Sequence, residues 1–254
     1  MRQLRRCLLL LSTQSGHGPP SDGGYLVIDR STRKDEIAQR LSEVRIELPS
    51  EITLIVVTKN FPVSDIEILF ELGEREFGEN RVQELVSKRE AISSEMDDEI
   101  TWHFQGQIQS NKAASLNRFA DVIHSIDSEK LIERISPDRE VFLQVNLDPD
   151  GQSNSRAGID PKDLEDFSRM MVARFAGNFL GLMAVAPHFA GITTSQIGES
   201  FERLKVLSRK VQEIAPNAKA ISAGMSDDYR LALEHGATHI RLGSSILGQR
   251  TPNT

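Results

Sequence analysis

The chain has 254 residues, 39% apolar and 26% charged, which is enough to bury a sizeable core and excludes disorder along its whole length. A net charge of −7 excludes a broad electrostatic footprint for nucleic acid. The single cysteine, Cys7, excludes an intrachain disulfide and any multi-cysteine metal site, and suits a reducing compartment.

The stretch Met1–Ser21 carries Arg2, Arg5 and Arg6 and no acid. Its apolar run, Cys7–Leu11, is shorter than the roughly 7 to 15 residues of a signal-peptide core and the ~20 of a membrane span. Residues 1–28, with the linker GHGPPSDGG from Gly16, read as a flexible extension. A cytoplasmic chain without membrane contact is expected, with organelle targeting by the basic extension as the alternative. Residues 29–254 read as one folded domain.

From Ser31, a candidate helix cap, apolar residues recur at Ile37, Leu41, Val44 and Leu48, which predicts a helix over 34–48 stopped by Pro49. Thr53–Thr58 is a continuous β-branched run, the mark of a strand buried on both faces. The alternation repeats: strands are predicted at 76–78, 101–105, 121–125, 141–145, 180–185, 218–222 and 239–242. Amphipathic stretches lie between them, among them Leu164–Phe175 and Ile197–Ile214, while Met96–Glu99 reads as a solvated acidic loop. Eight such strands fit a single (β/α)8 TIM barrel. An open doubly wound sheet shares the local pattern but has no Gly-x-Gly-x-x-Gly here to support it.

Chemistry in such a barrel sits at the C-terminal ends of the strands. The first strand ends at Lys59. A lysine there is either packed along its stem or desolvated, deprotonated and able to attack a carbonyl. Gly224-Met-Ser226 and Gly243-Ser-Ser245 follow strands seven and eight, where the fold often grips phosphate. The alternative is two ordinary turns with helix caps at Ser226 and Ser244. Arg241, inside an apolar strand, either pairs with a barrel carboxylate or aims a fixed donor into the barrel mouth. Asp227-Asp228 read as helix-start acids, and His103 and His124 as structural histidines, since no metal-binding motif is present.

Taken together the chain resembles the pyridoxal phosphate homeostasis proteins, single-domain relatives of the alanine racemase N-terminal barrel. The matching stretches are Val56-Val-Thr-Lys59, Phe77-Gly-Glu-Asn-Arg-Val-Gln-Glu84, Trp102-His-Phe-Gln-Gly106, Gln109-Ser-Asn-Lys112, Gly181-Leu-Met-Ala184, Gly224-Met-Ser-Asp-Asp228 and Ile240-Arg-Leu-Gly-Ser-Ser-Ile-Leu-Gly248. They stand in family order over roughly residues 31 to 250.

The resemblance implies a barrel of the alanine racemase N-terminal type and pyridoxal 5'-phosphate as cofactor, held as an internal aldimine on Lys59. It implies that Ser226, Gly243 and Ser244 bind the phosphate, that Arg241 lies near the pyridine nitrogen, and that Asn80, His103 and Met183 are pocket residues. No metal is implied. The family usually has threonine where Ser244 stands, and a Lys-x-Gly segment where this chain reads Ser155-Arg-Ala-Gly158. An arginine at the ring nitrogen keeps the ring neutral and a weaker electron sink, which disfavours transamination. Racemisation needs a second base, and neither Tyr25 nor Tyr229 is placed to serve. The expected function is therefore a monomeric carrier that exchanges the cofactor by reversible transimination, with apo-enzymes as partners. The alternatives are a racemase, and a cofactor-free lysine barrel acting on sugar phosphates.

Overall fold

The computed structural model describes residues 29–148 and 157–249. The expected extension at 1–28 lies outside the described residues, as do Ser155 and Arg156 of the loop that departs from the family pattern.

Among the described residues, eight parallel strands close into a barrel in sequence order. They are β1 (Thr53–Val57), β2 (Glu76–Glu79), β3 (Thr101–Phe104), β4 (Val122–Ile126), β5 (Glu140–Gln144), β6 (Phe179–Met183), β7 (Ala220–Ser222) and β8 (His239–Leu242). Closure is made by β1 against β8, with Ile55 opposite Arg241 and Val56 opposite Leu242. The predicted strands are the observed ones, displaced by one or two residues at most ends. Their continuous apolar runs reflect burial on both faces, by helices outside and by the interior of the barrel inside; every residue of β4 is buried.

The helices are α1 (Arg30–Glu47), α2 (Val63–Glu71), α3 (Val82–Arg89), α4 (Ser94–Glu99), α5 (Ala113–Phe119), α6 (Glu129–Arg134), α7 (Leu164–Phe175), α8 (Thr194–Ile214), α9 (Tyr229–Glu234) and α10 (Ser244–Leu247). They form the outer shell, and the larger apolar cluster lies between them and the strands. A small second cluster, Val122, Phe142 and Met183, is separate from it. No described helix is long and apolar enough to cross a membrane.

Two local expectations are corrected. Ser31 does not cap α1; the cap position is Asp29. Tertiary contacts extend the helix by a turn: Arg33 donates to both oxygens of Asp65, at 3.1 and 2.6 Å, and to the Leu247 carbonyl at 3.0 Å. The acidic run is not a loop but the short helix α4, capped by Ser93. Asp97 ties it down, receiving Arg89 Nε at 2.9 Å and the Trp102 indole N–H at 2.8 Å.

Candidate functional site

A cavity of about 260 Å³ opens at the C-terminal ends of the strands. One wall carries Val57, Lys59, Phe61, Asn80 and Gln105; the other carries Met183, Val185, Met225, Ser226, Asp227, Arg241, Gly243 and Ser244. Seven of the expected site residues thus meet in one place: Lys59, Asn80, Met183, Ser226, Arg241, Gly243 and Ser244.

Lys59 follows β1 by two residues and is half-buried. The peptides on either side of it are tied down by the segment that follows β2. Lys88 Nζ donates to the Thr58 carbonyl at 2.7 Å and to Glu79 Oε1 at 2.6 Å. Thr58 Oγ1 donates to the same carboxylate oxygen at 2.5 Å, and Glu84 accepts the Asn60 N–H at 2.9 Å. Asn60 has φ of 64°, a left-handed conformation that asparagine tolerates better than most residues. Burial pushes the Glu79 carboxyl up, with the Lys88 ammonium opposing it. The motif Phe77–Glu84 therefore has a physical meaning: it supplies Glu79 from the strand end and Glu84 from α3, and with Lys88 they fix the backbone that presents Lys59.

The neighbouring turn is equally constrained. A Cβ at Gly106 would stand 1.9 Å from the Asn80 carbonyl oxygen, so only glycine lets the chain after β3 pass beneath Asn80. Asn80 Oδ1 and Gln105 Oε1, both on the cavity wall, are buried and receive no hydrogen bond from the described residues.

Across the cavity Arg241 is almost wholly buried. Among the described residues no carboxylate lies within ion-pair distance, which replaces the salt-bridge alternative. Its NH1 donates to Ser222 Oγ at 2.8 Å and its NH2 to the Ala184 carbonyl at 3.0 Å. Burial pulls the guanidinium down to about 10, with Asp228 opposing, so it stays charged at neutral pH.

Neither Ser226 nor Ser244 occupies a helix cap position; Asp228 precedes α9 and Gly243 precedes α10. Instead the Ser244 hydroxyl donates to Ser226 Oγ at 3.1 Å, and the Ser245 N–H points to the same oxygen at 3.4 Å. Asp228 braces the first turn by accepting the Met225 N–H at 2.6 Å. Gly224 takes φ of 96°, and a Cβ there would meet Tyr229 Cα and Ala232 Cβ at 2.9 Å. Hydroxyls and backbone donors thus converge on one side of the cavity, an arrangement suited to an anion.

His103 is not on the cavity wall. Successive strand residues face opposite sides. That period sends His103 into the barrel one layer below the mouth and brings Gln105 to the mouth instead. There His103 contacts Glu76 at 2.5 Å and His124 at 2.9 Å. Tyr229 is drawn into the helical shell, donating its hydroxyl to Glu47 at 2.5 Å, and burial first, then Glu47, pushes it up to about 12.

Sequence reasoning passed over Glu79, Lys88, Gln105 and Ser222. The Glu84–Lys88 pair at i,i+4 was a legible signal. Glu79 and Ser222 carry none, because their partners are remote in sequence, and Gln105 shows only through the strand period it shares with His103.

Residues 33–251 match the sequence model of the alanine racemase N-terminal domain. A pyridoxal phosphate homeostasis protein of Mycobacterium bovis is 33% identical over 251 residues, covering 86% of this chain and 94% of the relative. That of Escherichia coli K12 is 30% identical over 234 residues, covering 85% and 97%. The chain belongs to the pyridoxal phosphate homeostasis protein family. Among solved structures, PipY of Synechococcus elongatus with pyridoxal phosphate bound is 36% identical, with a TM-score of 0.70, over 84% of this chain and all of PipY.

Proposed function

We propose that this protein binds pyridoxal 5'-phosphate in the cavity at the barrel mouth and acts as a carrier of it. One observation carries the reading: an amine, a buried cation without a carboxylate partner among the described residues, and an anion cradle face one another across a single cavity.

The residues fit that group. Its phosphate suits the donors at Ser226, Gly243 and Ser244, and its ring nitrogen suits the Arg241 guanidinium, which only donates. Asn80 Oδ1 and Gln105 Oε1, buried and without donors of their own, suit polar hydrogens brought by a ligand. When bound, the cofactor supplies an aldehyde that forms a reversible Schiff base with an amine. Lys59 supplies that amine, while Lys88, Glu79 and Glu84 hold its backbone in place.

A carrier rather than a racemase is favoured by Tyr229, which is committed to Glu47 and does not line the cavity. The barrel closes without a partner strand, which supports a monomer. Apo-enzymes that need the cofactor are the recipients, and the lone cysteine agrees with a cytoplasmic setting.

The test is a titration with pyridoxal phosphate followed in the visible, then borohydride reduction and mass mapping. The expected result is a saturable band and a phosphopyridoxyl group on Lys59. A colourless protein, or an adduct on another lysine, would overturn the reading. Absence of α-proton exchange with deuterium in common amino acids separates carrier from racemase.

A further inference from the structure

The interior of the barrel holds a line of polar side chains of which the site uses only the last. Glu76, at the start of β2, places Oε2 at 2.5 Å from His103 Nε2. His103 Nδ1 lies 2.9 Å from His124 Nε2, and His124 Nδ1 lies 2.9 Å from Ser222 Oγ. Ser222 in turn receives Arg241 NH1 at 2.8 Å. The line crosses from β2 through β3, β4 and β7 to β8. All its members are buried except Glu76, whose side chain is 34% exposed at the opposite end of the barrel from the cavity. Phe142 stacks on the His124 ring with centroids 4.5 Å apart and fixes its plane.

The hydrogens along this line have one consistent direction. A guanidinium has no acceptor, so Ser222 Oγ accepts from Arg241. The hydroxyl's own hydrogen then needs an acceptor, and among the described residues that is His124 Nδ1. A neutral imidazole has one donor and one acceptor. His124 therefore carries its proton on Nε2 and donates to His103 Nδ1. His103 Nδ1 accepts that hydrogen, which leaves its Nε2 to donate to the Glu76 carboxylate at the end of the line. Burial holds His124 well below its ordinary range, in keeping with a neutral ring.

We infer that Glu76, His103, His124 and Ser222 form a one-way hydrogen-bond relay that positions the Arg241 guanidinium from the far end of the barrel. They are positioning residues for the cofactor, and the inference rests on the reading that Arg241 faces its ring. The relay fixes the Ser222 lone pair toward Arg241. The terminal carboxylate polarises each bond in the sense that strengthens it. A charge at the bottom of the barrel is thereby felt at the cofactor.

Two measurements test this. Nitrogen-15 NMR of the ligand-free protein at neutral pH reads the rings directly, with both expected neutral and protonated on Nε2. A proton on His124 Nδ1, or an imidazolium at either ring, overturns the relay. Titration with pyridoxal phosphate then reads the coupling in Glu76→Ala, Glu76→Gln and Ser222→Ala. Ser222→Ala should bind about tenfold more weakly, the scale of one hydrogen bond to a charged group, with a shifted visible maximum. Glu76→Ala should show a smaller loss in the same direction, and Glu76→Gln, which keeps an acceptor, should restore most of it. Glu76 is partly exposed, so its variants keep the test open if Ser222→Ala fails to fold. Wild-type spectrum and affinity in Glu76→Ala overturn the positioning role even where the tautomers are as assigned. A wild-type protein without a cofactor band sinks the functional reading and the positioning role together, while the NMR still reports whether the relay exists.

Discussion

The two walls of the cavity are held by opposite means. On the β1 side, Lys59 stands on backbone clamped by a buried cluster: Lys88 and Glu79 are both nearly inaccessible and share hydrogen bonds with Thr58. On the β8 side, the anion cradle is made of small residues at the surface, with Ser226 and Ser244 bonded to each other rather than to the core. The difference matches a division of labour. An amine proposed to make a covalent bond needs one fixed position. The proposed grip on a phosphate that has to let go would work through exposed hydroxyls and backbone donors, each weak in water.

The largest effect expected is on the clamped wall itself. Lys59→Ala should remove the borohydride-reducible adduct altogether while leaving weak, non-covalent binding through the β8 wall. A residual adduct of full stoichiometry would show that another lysine carries the chemistry.

Next in size is the clamp. Lys88→Met keeps the apolar stem and deletes the ammonium, which strands Glu79 in a site that already pushes its carboxyl up. Breaking one side of a buried pair costs about 3–5 kcal/mol, read as a large fall in the denaturation midpoint. Adding Glu79→Gln should recover much of it, because the uncompensated charge is then gone. If the single variant is as stable as wild type, the β1 wall is not held as described.

Beneath the walls lies the histidine interior, and acid should unsettle it. Burial above all pulls His239 from 6.5 to about 4, with Arg241 adding and Glu76 opposing. The folded chain therefore resists a proton that the unfolded chain accepts. Stability is complete above pH 6.5 and falls as the pH drops toward 4, by up to about 3 kcal/mol from this one group. His124 adds in the same direction. Denaturant melts at pH 7 and pH 4.5 check it; equal midpoints would mean that these rings are not buried and neutral.

The same division explains what could be read before the fold was known. Both walls announced themselves where a single residue broke a local pattern. Lys59 ends an apolar run, Arg241 interrupts one, and small residues follow the last two strands. The strands were legible because burial on both faces leaves no alternation to misread. The clamp and the relay were not, since Thr58–Glu79 and His124–Ser222 join residues 21 and 98 positions apart. His103, a pocket residue by family resemblance, lies one layer below the cavity wall, because the register of its strand points Gln105 into the mouth. The acidic run Met96–Glu99 misled for a similar reason: the helix it belongs to is held by Arg89 and Trp102, contacts that no local rule supplies.

The smallest effect belongs to the cradle, and it separates stability from binding. Ser226 makes its hydrogen bonds near the surface, with Ser244 and the Ser245 N–H. Ser226→Ala should therefore change stability by no more than about 0.5 kcal/mol. The hydroxyl is nonetheless one of the donors proposed to hold the anion, so affinity for pyridoxal phosphate should fall roughly three- to tenfold, the net worth of one ordinary hydrogen bond at an exposed site. Pyridoxal, which lacks the phosphate, should bind the variant and the wild type equally well. That contrast assigns the loss to the anion grip. An equal loss for both ligands would instead mean that the two walls move as one, and that the β8 turn helps to set Lys59.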